Sequence, residues 1–153
     1  MRTFKVFSVF LILNFGALSI GNLLMNNGVQ TDWYLDFTLA AWSPPGWSFG
    51  MASTFIMFCF SIYMTELYRS SNTKEIKWLF ALQLVLIIGW IFIFFNQRSI
   101  AYGFVALTLL TLVIFYFLIS NQPKLRFKRL LILPYFSWLC VVTWLSLDIV
   151  LNN

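Results

Sequence analysis

The chain has 153 residues, 61% hydrophobic, 20% aromatic and 10% charged. A soluble domain carries about a quarter charged residues, and one of this size leaves about a third of its unfolded-chain surface in water, so this much apolar side chain cannot be hidden in one water-soluble core. The formal net charge is +5, but the basic residues sit between apolar runs, as the positive-inside rule expects, so no nucleic-acid partner is needed to explain them.

A membrane span takes about 20 mostly apolar residues, and five runs of that length follow one another: about 4–25, 46–67, 76–95, 100–119 and 130–151. The first has Arg2 and Lys5 in front and small residues at Gly16-Ala17-Leu18-Ser19, as a cleaved signal peptide would. It continues through Leu23-Leu24-Met25, however, and is read as a retained helix whose Ala17-xxx-Gly21 face suits close packing. The connection 26–44 is polar and aromatic, with Asn-Gly and Pro-Pro-Gly as turn and helix-start signals. Asn96-Gln97-Arg98-Ser99 reads as a tight turn, and Asn121-Gln122-Pro123 breaks the chain before the last span. Strict alternation is missing, so the spans are helices and the fold class is an all-α, five-transmembrane-helix bundle forming one domain over 1–153. Nine of the ten basic residues fall on the side of the N-terminus; Arg98 alone, with Asp32 and Asp36, falls on the other. This predicts a cytoplasmic N-terminus, with the 26–44 connection and the C-terminus outside.

The sequence contains no histidine, which removes the commonest metal ligand, the usual proton shuttle and the usual haem axial ligand. Cys59 and Cys140 lie in separate apolar runs and read as core residues, not as a disulfide or metal site. No paired carboxylates, phosphate loop or nucleophile–base pair is present, so neither a catalytic residue nor a required cofactor is expected. Polar groups inside spans are costly and informative. Gln83 shares a helical face with Ile87, Trp90 and Phe94; Tyr135, Trp138, Val142 and Leu145 share another, with Ser146 beside them. Each stripe alone suits helix packing. Together, under a stiff loop of Trp and Pro, they describe the lining of a pocket for a flat apolar ligand.

Three segments resemble the TspO/MBR family of tryptophan-rich sensory and translocator proteins. These are Trp33-Tyr34 with Trp42-Ser43-Pro44-Pro45-Gly46-Trp47-Ser48-Phe49-Gly50, then Gln83 to Trp90 with Phe94-Phe95, and Leu133-Pro134-Tyr135-Phe136-Ser137-Trp138 with Leu145-Ser146 and Asn152. The resemblance implies a bundle in a lipid bilayer, usually dimeric, with a pocket closed by the first loop. It also implies ligands such as protoporphyrin IX, haem, benzodiazepine-type compounds or sterols, with Tyr34, Trp42, Pro45, Phe49, Trp90, Phe94, Trp138 and Leu145 in the pocket. The pattern is broken at Ala40, Ser53, Ile87, Ala106 and Ser146, where the family has Pro, Trp, Asn, Asp and Asn; a divergent, drier pocket follows. The favoured function is a receptor or transporter of tetrapyrroles in a bacterial inner membrane. A structural membrane subunit and a light-dependent porphyrin-degrading enzyme are the alternatives; Ser53 in place of a Trp lowers the last.

Overall fold

The computed structural model describes residues 1–120 and 125–153; the expected break at 121–123 lies outside them. Among the described residues the main α-helices are α1 Arg2–Met25, α2 Asp32–Leu35, α3 Gly46–Ser70, α4 Lys74–Ile91, α5 Ile100–Ser120 and α6 Leu133–Asn152. A π-helical turn, Phe92–Asn96, extends α4, and a 3-10 segment, Arg126–Ile132, leads into α6. With these extensions, five helices are long and apolar enough to cross a membrane.

The five close a ring in the order α1, α3, α6, α5, α4 and back to α1. Each turns a narrow stripe inward: Phe10, Asn14, Ala17 and Gly21 on α1, and Ile76, Phe80, Gln83, Ile87 and Ile91 on α4. Spacings of three and four put such residues on one helical face. The small face of α1 allows close approach to α4. A Cβ on Gly21 would lie 2.6 Å from Ile91 Cδ1.

Packing differs between the two ends. Toward the basic end, Phe60, Tyr63, Met64 and Leu67 of α3 are fully buried against Phe117 of α5 and Tyr135 of α6. Toward the loop end, α3 buries no residue between Gly46 and Phe55. The outer turns of α3 are therefore exposed or half-buried, and its fully buried residues begin at Ile56.

Two spans differ from the sequence expectation at their ends. The last begins as a 3-10 helix at 126, earlier than 130, and becomes α-helical at 133. Pro134 lacks an N–H and its ring crowds the carbonyl four residues back, so an α-helix cannot run through unbroken. After the third span the expected tight turn 96–99 is preceded by the π turn, and Arg98 takes a left-handed backbone, φ 53°.

Candidate functional site

Both aromatic stripes face the ring interior. On α4 and its π extension, Gln83, Ile87 and Phe94 are buried, and Trp90 packs half-buried against the core. Trp90 meets Phe94 and Phe95, with centroids 6.3 and 6.2 Å away. On α6, Tyr135, Val142, Leu145 and Ser146 are buried, and Trp138 is half-buried against the same core. The Trp138 ring meets Phe49 of α3 edge-on at 5.2 Å, which joins the outer end of α3 to α6. Gly103 lets α5 approach this wall; a Cβ there would lie 2.9 Å from Phe94 Cβ and 3.2 Å from its Cα.

The loop between α1 and α3 crosses the end of the ring. Asn26 and Asn27 take left-handed backbones (φ 49° and 56°), which asparagine tolerates better than most residues, and these turn the chain sharply after α1. Gly28 then lies against Phe95, where a Cβ would come within 2.5 Å of the ring. Trp33 packs on Phe94 at 5.9 Å, Tyr34 on Phe95 at 5.6 Å, and Phe37 against Trp33 at 4.7 Å. The Arg98 guanidinium lies 5.7 Å over the outer face of Trp33. Burial pushes the Tyr34 phenol above its ordinary value of 10.0. Further along, the Thr38 N–H donates to Asn153 Oδ1 at the end of α6, 3.2 Å away. The loop is thus seated on the end of α4, tied to α6, and returned to α3. Its second half is looser: Trp42 is 52% exposed, and Pro45 is exposed.

The polar groups inside the ring are few. Gln83 Nε2 donates to the Tyr135 hydroxyl at 2.8 Å, joining α4 to α6, while Gln83 Oε1 has no partner. Asn14 Nδ2 donates to Ser61 Oγ at 2.9 Å between α1 and α3, and Thr111 and Thr143 pair at 2.9 Å between α5 and α6. Ser146 Oγ is buried without a partner. Gln83 is therefore first a cross-link at the floor of the aromatic walls, a role spacing alone did not reveal. Among the described residues no three His, Cys, Asp or Glu side chains converge. A separate apolar groove of about 530 Å³ runs on the outside of the ring, between Phe15 of α1 and Gly50, Thr54 and Phe58 of α3.

A ring of five membrane-spanning helices, with tryptophans turned inward beneath an aromatic loop, defines an integral, multi-pass membrane protein of the tryptophan-rich type. The sequence matches the TspO/MBR family over residues 8–151, and the chain belongs to that family. It is similar to the Tryptophan-rich protein TspO of Archaeoglobus fulgidus, 27% identical over 135 residues covering 87% of each chain. The protein of that name from Chlorobaculum tepidum is 25% identical over 79% of each, and that from Bacillus cereus 25% identical over 88% of each.

Proposed function

We propose that the protein binds a hydrophobic tetrapyrrole, protoporphyrin IX or haem, or a similar flat apolar ligand, between the helices under the 26–44 loop, and acts as a receptor or transporter rather than as an enzyme. The observation that carries this is the inward placement of Trp90 and Trp138, both half-buried, below a loop seated on Phe94 and Phe95. Flat aromatic ligands are held by offset and edge-on contacts with such rings. The walls offer Gln83 Oε1 and Ser146 Oγ as unpaired groups to orient a ligand. Tyr34, Phe49, Phe94, Val142 and Leu145 complete the proposed lining, with Trp42 and Pro45 on the exposed second half of the loop.

Eight described basic residues gather at the end opposite the loop, where Phe10 of α1 meets Tyr68 of α3 and Phe80 of α4. This supports an N-terminus on the cytoplasmic side of a cell membrane, with loop and C-terminus outside. A homodimer is the expected assembly.

Titration of the detergent-solubilised protein with protoporphyrin IX is expected to give saturable quenching of tryptophan fluorescence. Trp90→Phe combined with Trp138→Phe should weaken binding at least several-fold, read from the absorbance of the bound porphyrin. Unchanged affinity in that double variant refutes the pocket.

A further inference from the structure

The 3-10 segment before α6 is a built surface that the aromatic site does not use. It is pinned at both ends, by Leu125 (4% exposed) and Ile132 (0%), while every residue from 126 to 130 is exposed. Lys128 Nζ bonds Glu66 Oε2 of α3 at 2.6 Å, so its charge is already matched. Side chains three apart in a 3-10 helix lie one above the other. Phe127 and Leu130 therefore form one stripe, and Arg126 and Arg129 flank it on the same short exposed segment. Phe127 is 85% exposed and Leu130 54%. Neither arginine has a side-chain partner among the described residues. Arg126 is held in the left-handed region, φ 45°, a conformation unfavourable for a side chain of this size.

Around this segment the same end of the bundle carries Arg2, Lys5, Arg69, Lys74 and Lys77, against only Glu66 and Glu75. Two unpaired arginines beside an exposed apolar stripe, at the point where a span enters the membrane, match a molecule with a negative head and an apolar tail. We propose that residues 126–130 are a docking surface for an anionic phospholipid of the adjoining leaflet. The phosphate lies between Arg126 and Arg129, and the acyl chain runs along Phe127 and Leu130. A zwitterionic lipid satisfies the apolar stripe but brings a cation into a field of like charge. A nucleic acid matches the charge but leaves Phe127 and Leu130 without an apolar contact.

Native mass spectrometry of the full chain, with phosphatidylglycerol and phosphatidylcholine supplied in equal amounts, tests this. The wild type is expected to retain phosphatidylglycerol preferentially. If each arginine in contact with the phosphate contributes about the fivefold that a basic residue contributes at an anionic surface, Arg126→Gln with Arg129→Gln should lower the preference by roughly 25-fold. Lys5→Gln with Lys74→Gln removes the same charge from the same end and should change it much less. Thermal unfolding should be alike for both double variants, since all four side chains are exposed. Equal losses in the two variants overturn the proposal, because they mean a diffuse attraction and no site. No preference in the wild type overturns it too, as does displacement of the lipid by excess inorganic phosphate or by a short oligonucleotide.

Discussion

The Gln83–Tyr135 bond permits a sharp test of how the ring is held together. Both groups are buried, Gln83 at 0% and Tyr135 at 2%, and the bond joins α4 to α6 across the bundle at 2.8 Å. Tyr135→Phe removes the one partner that Gln83 Nε2 has among the described residues and leaves an amide with both ends unpaired, because Oε1 already has none. A buried polar group left unsatisfied costs about 1–3 kcal/mol. Interhelical bonds in membranes average about 0.6 kcal/mol, since the unfolded reference finds partners in the bilayer, so about 1–2 kcal/mol is expected. Gln83→Leu strands only the Tyr135 hydroxyl and also removes the orphan oxygen, so it should cost less, below about 1 kcal/mol. The double variant removes all the stranded groups and should be close to wild type. A double-mutant cycle by reversible unfolding in mixed micelles of dodecyl sulfate and a mild detergent reads this directly. If the two single effects add in the double variant, the bond does not couple α4 to α6 and the reasoning fails.

Gly28→Ala places a Cβ within 2.5 Å of the Phe95 ring and 2.8 Å of its Cβ. The loop must lift from α4, at about 1–3 kcal/mol, and hydrogen exchange over 28–37 should quicken while exchange in the cores of α4 and α5 stays slow; unchanged loop exchange would contradict the seat described for it. Arg98→Gln removes the cation over Trp33, worth about 0.5–1 kcal/mol at an exposed site, and should speed proteolysis within the loop a few-fold without lowering the global unfolding midpoint. Raising the pH should also loosen the loop. The seated Tyr34 keeps its proton above 10.0, whereas a released Tyr34 gives it up there, so the seat weakens as pH climbs past that point. Exchange rates corrected for intrinsic chemistry should therefore rise in the wild type above pH 10 but stay flat in Tyr34→Phe, and identical profiles would rule out this coupling.

Five spans and their inward faces were legible because membrane burial imposes long apolar runs and because spacing by three and four assigns each residue a face. Trp90 and Trp138 fall inside as that geometry requires. Features set by contact between distant elements were not legible. Nothing local in Phe92–Asn96 marks a π turn, nor does the sequence show that Gly28 and Gly103 exist to admit Phe95 and Phe94. Spacing put Gln83 on the pocket face, but not its bond to Tyr135, because its partner lies 52 residues away. The looser second half of the loop was likewise hidden: Trp42 and Pro45 carry the family pattern as clearly as Tyr34 does, yet only Tyr34 is packed down.

The positions that depart from the family pattern acquire a physical meaning once located. Ile87 is 5% exposed within the core, and Ala106 is 8% exposed on the facing side of α5. An Asn and an Asp there would each need a partner inside the membrane, and a lone carboxylate at that depth costs at least about 2.5 kcal/mol. This chain avoids both costs. The buried side-chain polar atoms left unpaired among the described residues are Gln83 Oε1 on α4, Ser146 Oγ on α6 and Asn14 Oδ1 on α1. If the proposed ligand binds between these walls, it would be selected by flatness and by contact with rings, with few hydrogen bonds to orient it. Relaxing that selection should be easiest through Phe49, whose edge-on contact with Trp138 joins the outer end of α3 to α6. Phe49→Ala should therefore admit bulkier apolar ligands while weakening a planar one, and a uniform loss of affinity for both would show that the wall serves only to hold α3.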